Sequence, residues 1–190
     1  MQEFGLYFRI GIDHITDLGG YDHMLFLVAT CASLAWSEWR KLAWLVTAFT
    51  LGHSITLAMS VLSAPFFSSE WIEFFIPVTI LLTAMDLLRS EGNSPQRLKY
   101  VAVATFGCIH GMGFSSYLRS LLGSENDLLL PLFGFNLGLE MGQLVVVTAV
   151  VAFTSILVGM IGIQRRDLRI FLAGAVGLAA FSLMLEKWPG

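Results

Sequence analysis

The sequence predicts an all-α membrane protein: a compact bundle of six transmembrane helices with a short N-terminal interfacial helix, one integral membrane domain over residues 1–190. Composition is the first observation behind this. Hydrophobic residues make up 56% of the chain and charged residues 13%, whereas an ordinary soluble domain carries about 25% charged residues to cover its surface. The second is a series of long runs that are nearly free of charge. The third is an uneven distribution of lysine and arginine between the connections. Sheet is excluded, because the alternating segments of ~10 residues that build membrane barrels are absent.

Each span is bounded by the charges around it. Met24–Ser37 carries no charged residue, Leu42–Ser69 holds only His53, and Tyr100–Leu118 holds only His110. Leu128–Gln164 holds only Glu140, and Ile170–Leu185 holds none. A span needs roughly 20 apolar residues, which places helices near 22–39, 41–62, 70–89, 98–121, 129–160 and 168–186. The fifth is long enough to tilt or to project beyond the bilayer. Before them, Phe4, Tyr7, Phe8, Ile12 and Ile15 fall near one helical face, which predicts an amphipathic helix lying on the outer surface within residues 1–20. That segment lacks a basic start, a long apolar centre and a small-residue cleavage site, so a removed signal peptide is not expected.

Eight of the eleven basic residues lie in alternate connections: Arg40 and Lys41, then Arg89, Arg97 and Lys99, then Arg165, Arg166 and Arg169. Positive charge marks the cytoplasmic side. Both termini are therefore expected on the outer side of a multi-pass protein. The net charge of −3 and the lack of a basic tract argue against a nucleic-acid partner. Cys31 and Cys108 both lie inside apolar runs and make no disulfide framework.

Depth then singles out a set of polar residues. His53 and His110 each sit ~18 Å along their helices at ~1.5 Å per residue. Glu140 lies ~16 Å down the fifth span by the same rise. His23 and Asp22 open the first span, and Glu73 is near the outer end of the third. Ionisable groups within a bilayer are costly and persist where they find partners inside a bundle. Imidazoles and carboxylates at one level make a candidate divalent-metal site, with His14, Asp22, His23, His53, His110, Glu140 and Glu73 as candidate ligands. Asp22 can instead serve as an N-cap, and His14 can instead sit in water on the surface helix. Asn136, Glu140 and Gln143 share one face of the fifth span, and Thr50 and His53 share a face of the second. The glycines of "FGCIHGMGF" allow either close helix packing or a local break.

Four stretches, "HITDLGGYDHMLFL", "TAFTLGHSITL", "FGCIHGMGF" and "FNLGLEMGQL", in this order and over nearly the whole chain, resemble the HupE/UreJ family of bacterial membrane proteins. The resemblance is closer to the family's second branch. His14 is separated from Asp22-His23 by seven residues rather than five, and no second histidine follows His110. The resemblance implies a nickel or cobalt permease of the bacterial inner membrane, with metal-linked motifs at His14, Asp22, His23 and His110.

Two function classes follow. In the first, a divalent transition metal (nickel, cobalt or zinc) is the cargo, carried between the outer side and the cytoplasm, with Asp86 as the ionisable group on the inner half. In the second, a resident zinc ion activates water for hydrolysis of a lipid or membrane-embedded peptide. Glu140 or Asp22 would then be the base, with Ser54 or Ser116 assisting. No H-E-x-x-H motif is present, which disfavours a zincin-like protease.

Overall fold

The computed structural model describes residues 2–62, 67–88, 96–122 and 128–190. The described residues form seven α-helices and no strand: α1 (Gln2–Thr16), α2 (Asp22–Cys31), α3 (Trp39–Leu62), α4 (Ser69–Leu87), α5 (Gln96–Leu122), α6 (Leu129–Gly159) and α7 (Arg165–Glu186). Single 3₁₀ turns precede α2 and α3 at Leu18–Gly20 and Trp36–Glu38. Part of the third connection, including Arg89, lies outside the described residues.

Among the described residues, four segments are long and apolar enough to cross a membrane: Trp36–Ser60, Gln96–Leu121, α6 and α7. Their outward faces carry large apolar side chains, among them Trp44, Leu51, Ile55, Val101, Phe153, Phe171 and Leu178. A helix that is apolar outside as well as inside is built for a lipid surround. Glu70, Glu73 and Asp86 interrupt the apolar character of the 19-residue α4 near its two ends.

The first predicted span is shorter than expected. α2 stops at Cys31, and its 10 residues cover only ~15 Å of a ~30 Å hydrocarbon core. α1, expected as a surface helix, is instead packed against α6. α1 lies lengthwise and parallel along the first half of α6, with Tyr7, Gly11 and Ile15 buried. The cause is a glycine ladder on α6. Phe4 packs over Gly134, Phe8 over Gly138 and Ile12 over Gly142, so closely that a Cβ on Gly138 would overlap the Phe8 carbonyl oxygen. Small residues four apart let two backbones touch, and such contact drives association where solvent expulsion cannot.

Between α1 and α2 the chain breaks at "DLGGY". The Asp17 carboxylate accepts the Gly19 N–H at 2.8 Å and caps the 3₁₀ turn. α3 and α5 form a second intimate pair, also parallel. Gly52 meets the Ala104 backbone, Gly107 meets Phe49, and Gly111 meets His53. The glycines around His110 thus serve close packing, and α5 runs unbroken through them. α4 pairs with α7 in antiparallel fashion, from the Glu73–Lys187 ion pair (2.8 Å) at one end to Ala84 beside Gly177 further along.

Candidate metal centre

Each of the four histidines comes from a different helix. His14 ends α1, His23 opens α2, and His53 and His110 lie in the middle of α3 and α5. The break at residues 17–21 brings the first two together, and the glycine contacts between α3 and α5 bring the other two towards them. Ring centroids are 4.6 Å apart for His14–His23, 4.8 Å for His23–His110, 6.0 Å for His14–His53 and 6.3 Å for His23–His53.

One ligand nitrogen from each of His14, His23 and His53 lies within 4.8 Å of the others. Metal–nitrogen bonds of ~2 Å put tetrahedral ligands ~3.3 Å apart, so side-chain shifts of about an ångström close this group around an ion. His23 is 5% exposed, and His53 and His110 are fully buried. Even so, His14 Nε2, His23 Nε2, both nitrogens of His53 and His110 Nδ1 make no hydrogen bond among the described residues. Buried polar atoms are normally paired. Each neutral imidazole offers one lone pair, so these unpaired rings together amount to a set of lone pairs lacking an acceptor.

The other nitrogens define which atoms are free. The Asp22 carboxylate accepts from His23 Nδ1 at 3.0 Å and from the His23 backbone N–H at 2.8 Å. A proton held on Nδ1 leaves the Nε2 lone pair for a metal, the usual support given to a ligating histidine. Asp22 therefore orients His23. At His110, Nε2 lies 3.1 Å from the Thr79 hydroxyl, which donates its only proton to the Ile76 carbonyl at 2.7 Å. In that arrangement Nε2 holds the ring proton and Nδ1 carries the lone pair. Thr79 escaped the sequence reading, although it is the only hydroxyl in the apolar run Phe74–Leu82.

Aromatic rings enclose the imidazoles. Phe114 lies 3.9 Å from His14, Phe135 stacks on Phe114 at 4.9 Å, and Phe26 and Phe49 approach His110 at 5.5 and 5.3 Å. On one side this shell opens. A cavity of about 350 Å³ reaches His14, Asp22, His23 and His110, and Glu73 and Lys187 line it too. The Lys187 amine is lifted above the ordinary lysine range, chiefly by its hydrogen bond to the Glu73 carboxylate. Glu73 is thus engaged at the cavity rim, apart from the imidazole group.

Glu140 also stands outside that group. Its carboxylate accepts the Thr47 hydroxyl at 2.7 Å, and one turn on Gln143 accepts the Thr50 hydroxyl at 2.8 Å. Glu140 and Gln143 thereby fasten α6 to α3, while Asn136 on the same face donates to the Leu132 carbonyl of its own helix at 2.8 Å. Ser54 donates to the Thr50 carbonyl within its own helix, and Ser116 lines a separate pocket beside Arg119.

An all-helical bundle sheathed in apolar side chains, with imidazoles gathered in its interior, defines a membrane protein with a candidate metal centre. Over residues 1–187 the chain matches the HupE / UreJ protein family, and it belongs to that family. No curated protein and no solved structure matches it.

Proposed function

We propose that the protein is a permease of the bacterial inner membrane that takes a divalent transition metal ion, nickel or cobalt, as cargo at the four-histidine cluster. The observation that carries this reading is the set of buried imidazole nitrogens with free lone pairs, at the foot of a cavity that opens between α4, α5 and α7. Imidazole suits nickel, cobalt and zinc. Family membership adds the link to nickel and cobalt.

In this reading α1 and α2 together make one broken span, which with α3 to α7 gives six crossings. The basic connections face the cytoplasm and both termini face outward. A broken helix whose ends meet near the middle of the bilayer is a recurring way to build a transport site. The ion enters by the Glu73–Lys187 rim, exchanges water for His23, His14 and His53, and contacts His110 at the same level.

Below the cluster the path is shut. Phe26 touches both His110 and Phe106 (5.5 and 6.2 Å between centroids), and Phe106 lines an inner cavity of about 220 Å³ that also holds Asp86, Lys99 and Thr83. The aromatic layer separates the two cavities, and inward release requires Phe26 to move. The hydrolase alternative is weaker on the same geometry, because Glu140 and Ser54 are engaged elsewhere and Asp22 is committed to His23.

The test is uptake of nickel and cobalt into liposomes containing the purified protein, with His53→Ala beside it. Saturable uptake that the substitution abolishes is expected. A non-exchanging, stoichiometric zinc ion with no uptake of any metal would overturn the proposal.

A further inference from the structure

At the opposite end of the molecule from Glu73 and Lys187, the first turn of α7 places Arg165, Arg166 and Arg169 on one concave pocket of about 280 Å³. Ser33 from the chain after α2, and Thr154 and Ser155 from α6, complete its polar lining. None of the three arginines forms an ion pair among the described residues. The Nε of Arg169 is buried and has no hydrogen-bond partner among the described residues. Glu38, whose charge reaches Arg165, is already held by Lys41 at 2.6 Å.

Of the hydroxyls, Thr154 gives its proton to the Val151 carbonyl at 3.1 Å, and the remaining donors are uncommitted. Ser33 and Ser155 make no side-chain hydrogen bond among the described residues. Gln164 gives no side-chain cap to α7, so the first-turn amides remain open. Guanidinium groups, hydroxyl protons and a helix N-terminus share one preference, a multiply charged oxyanion. Leu34, Val158 and Leu168 line the pocket's apolar part, and Met160 and Ile161 at the end of α6 are exposed.

We infer that this pocket binds a phosphate group, either the headgroup of an anionic phospholipid or free inorganic phosphate. The apolar side chains beside it fit the first source, with the acyl chains lying along the end of α6. This inference does not depend on the metal site.

Native mass spectrometry of the detergent-purified protein tests it, using phosphatidylglycerol, phosphatidylcholine and inorganic phosphate as probes. Phosphatidylglycerol should be retained in preference to phosphatidylcholine. A basic residue near an anionic headgroup contributes about fivefold, so Arg165→Gln/Arg166→Gln/Arg169→Gln should weaken retention about a hundredfold. Displacement of the lipid by millimolar inorganic phosphate supports the site and assigns it to a soluble anion. Persistence of the lipid under phosphate supports the membrane source. Folding of the triple variant is checked by its circular dichroism and its elution as a monodisperse species in detergent. If it does not fold, Arg169→Gln alone should show a loss of about fivefold. Equal retention by native protein and variant, or no preference for phosphatidylglycerol together with no phosphate binding, overturns the inference.

Discussion

The Thr79 hydroxyl lies 3.1 Å from His110 Nε2 and 2.7 Å from the Ile76 carbonyl, and when its one proton goes to the carbonyl it accepts from Nε2. In that arrangement Thr79 sets which nitrogen of His110 carries the lone pair. Partners of this kind typically change metal affinity by 10–100-fold when removed.

Thr79→Val keeps the shape of the side chain and deletes the acceptor. Metal affinity should fall by roughly tenfold with stoichiometry unchanged, since both tautomers of His110 become accessible. Calorimetric titration of nickel into the purified variant checks this. An unaltered dissociation constant would show that His110 takes no part in binding.

His53 is fully buried with neither ring nitrogen partnered, so in the metal-free protein it is a liability. Replacing a buried unsatisfied polar group with an apolar one of similar size removes a desolvation penalty of about 1–3 kcal/mol. His53→Leu should therefore raise the melting temperature without metal and abolish the further rise that nickel produces. A lower metal-free melting temperature would mean that His53 already has a partner.

Glu140→Gln preserves an oxygen that can accept from Thr47. Bound metal should remain near the native level, and the thermal shift on adding nickel should persist. The sequence reading made Glu140 a candidate ligand from its isolation in the run Leu128–Gln164. If the substitution empties the site, Glu140 reaches the ion after all.

Gly138→Leu tests the docking of α1. Its side chain cannot fit against the Phe8 carbonyl, so α1 must shift and withdraw His14 while His23, His53 and His110 remain in place. Nickel should then bind on the order of tenfold or more weakly. A cysteine introduced at Ile15, buried in the native protein, should become reactive towards a small maleimide. An unreactive Ile15→Cys in the Gly138→Leu background would sink this account of the interface.

Much of the helix pattern could be read from the chain, because charge spacing reports directly on where helices can lie in lipid. The same spacing gave the common depth of His23, His53 and His110. It failed at the N-terminus. Apolar residues on one face of residues 1–16 look alike whether they meet headgroups or another helix. What decides between these is the ladder Gly134, Gly138, Gly142 more than a hundred residues away. An isolated carboxylate in an apolar run signals only that a partner exists, and at Glu140 the structure supplies a neutral one, Thr47. Thr79 was hidden because hydroxyls in membrane helices usually bond their own backbone, as Thr83 and Ser54 do here.

The packing of α1 on α6 also bears on how the protein is made. α1 carries Glu3, Arg9 and Asp13, and α2 has only ten residues, so neither is a strong signal for insertion as it leaves the ribosome. The glycine surface that receives α1 does not exist until residues 134–142 have been synthesised. The first helix of the chain is therefore among the last to find its place. His14 joins the other three histidines only after α6 has entered the membrane, so a nascent chain halted before Gly134 lacks the fourth imidazole. Assembly order alone thus keeps incomplete polypeptides from bringing all four imidazoles together.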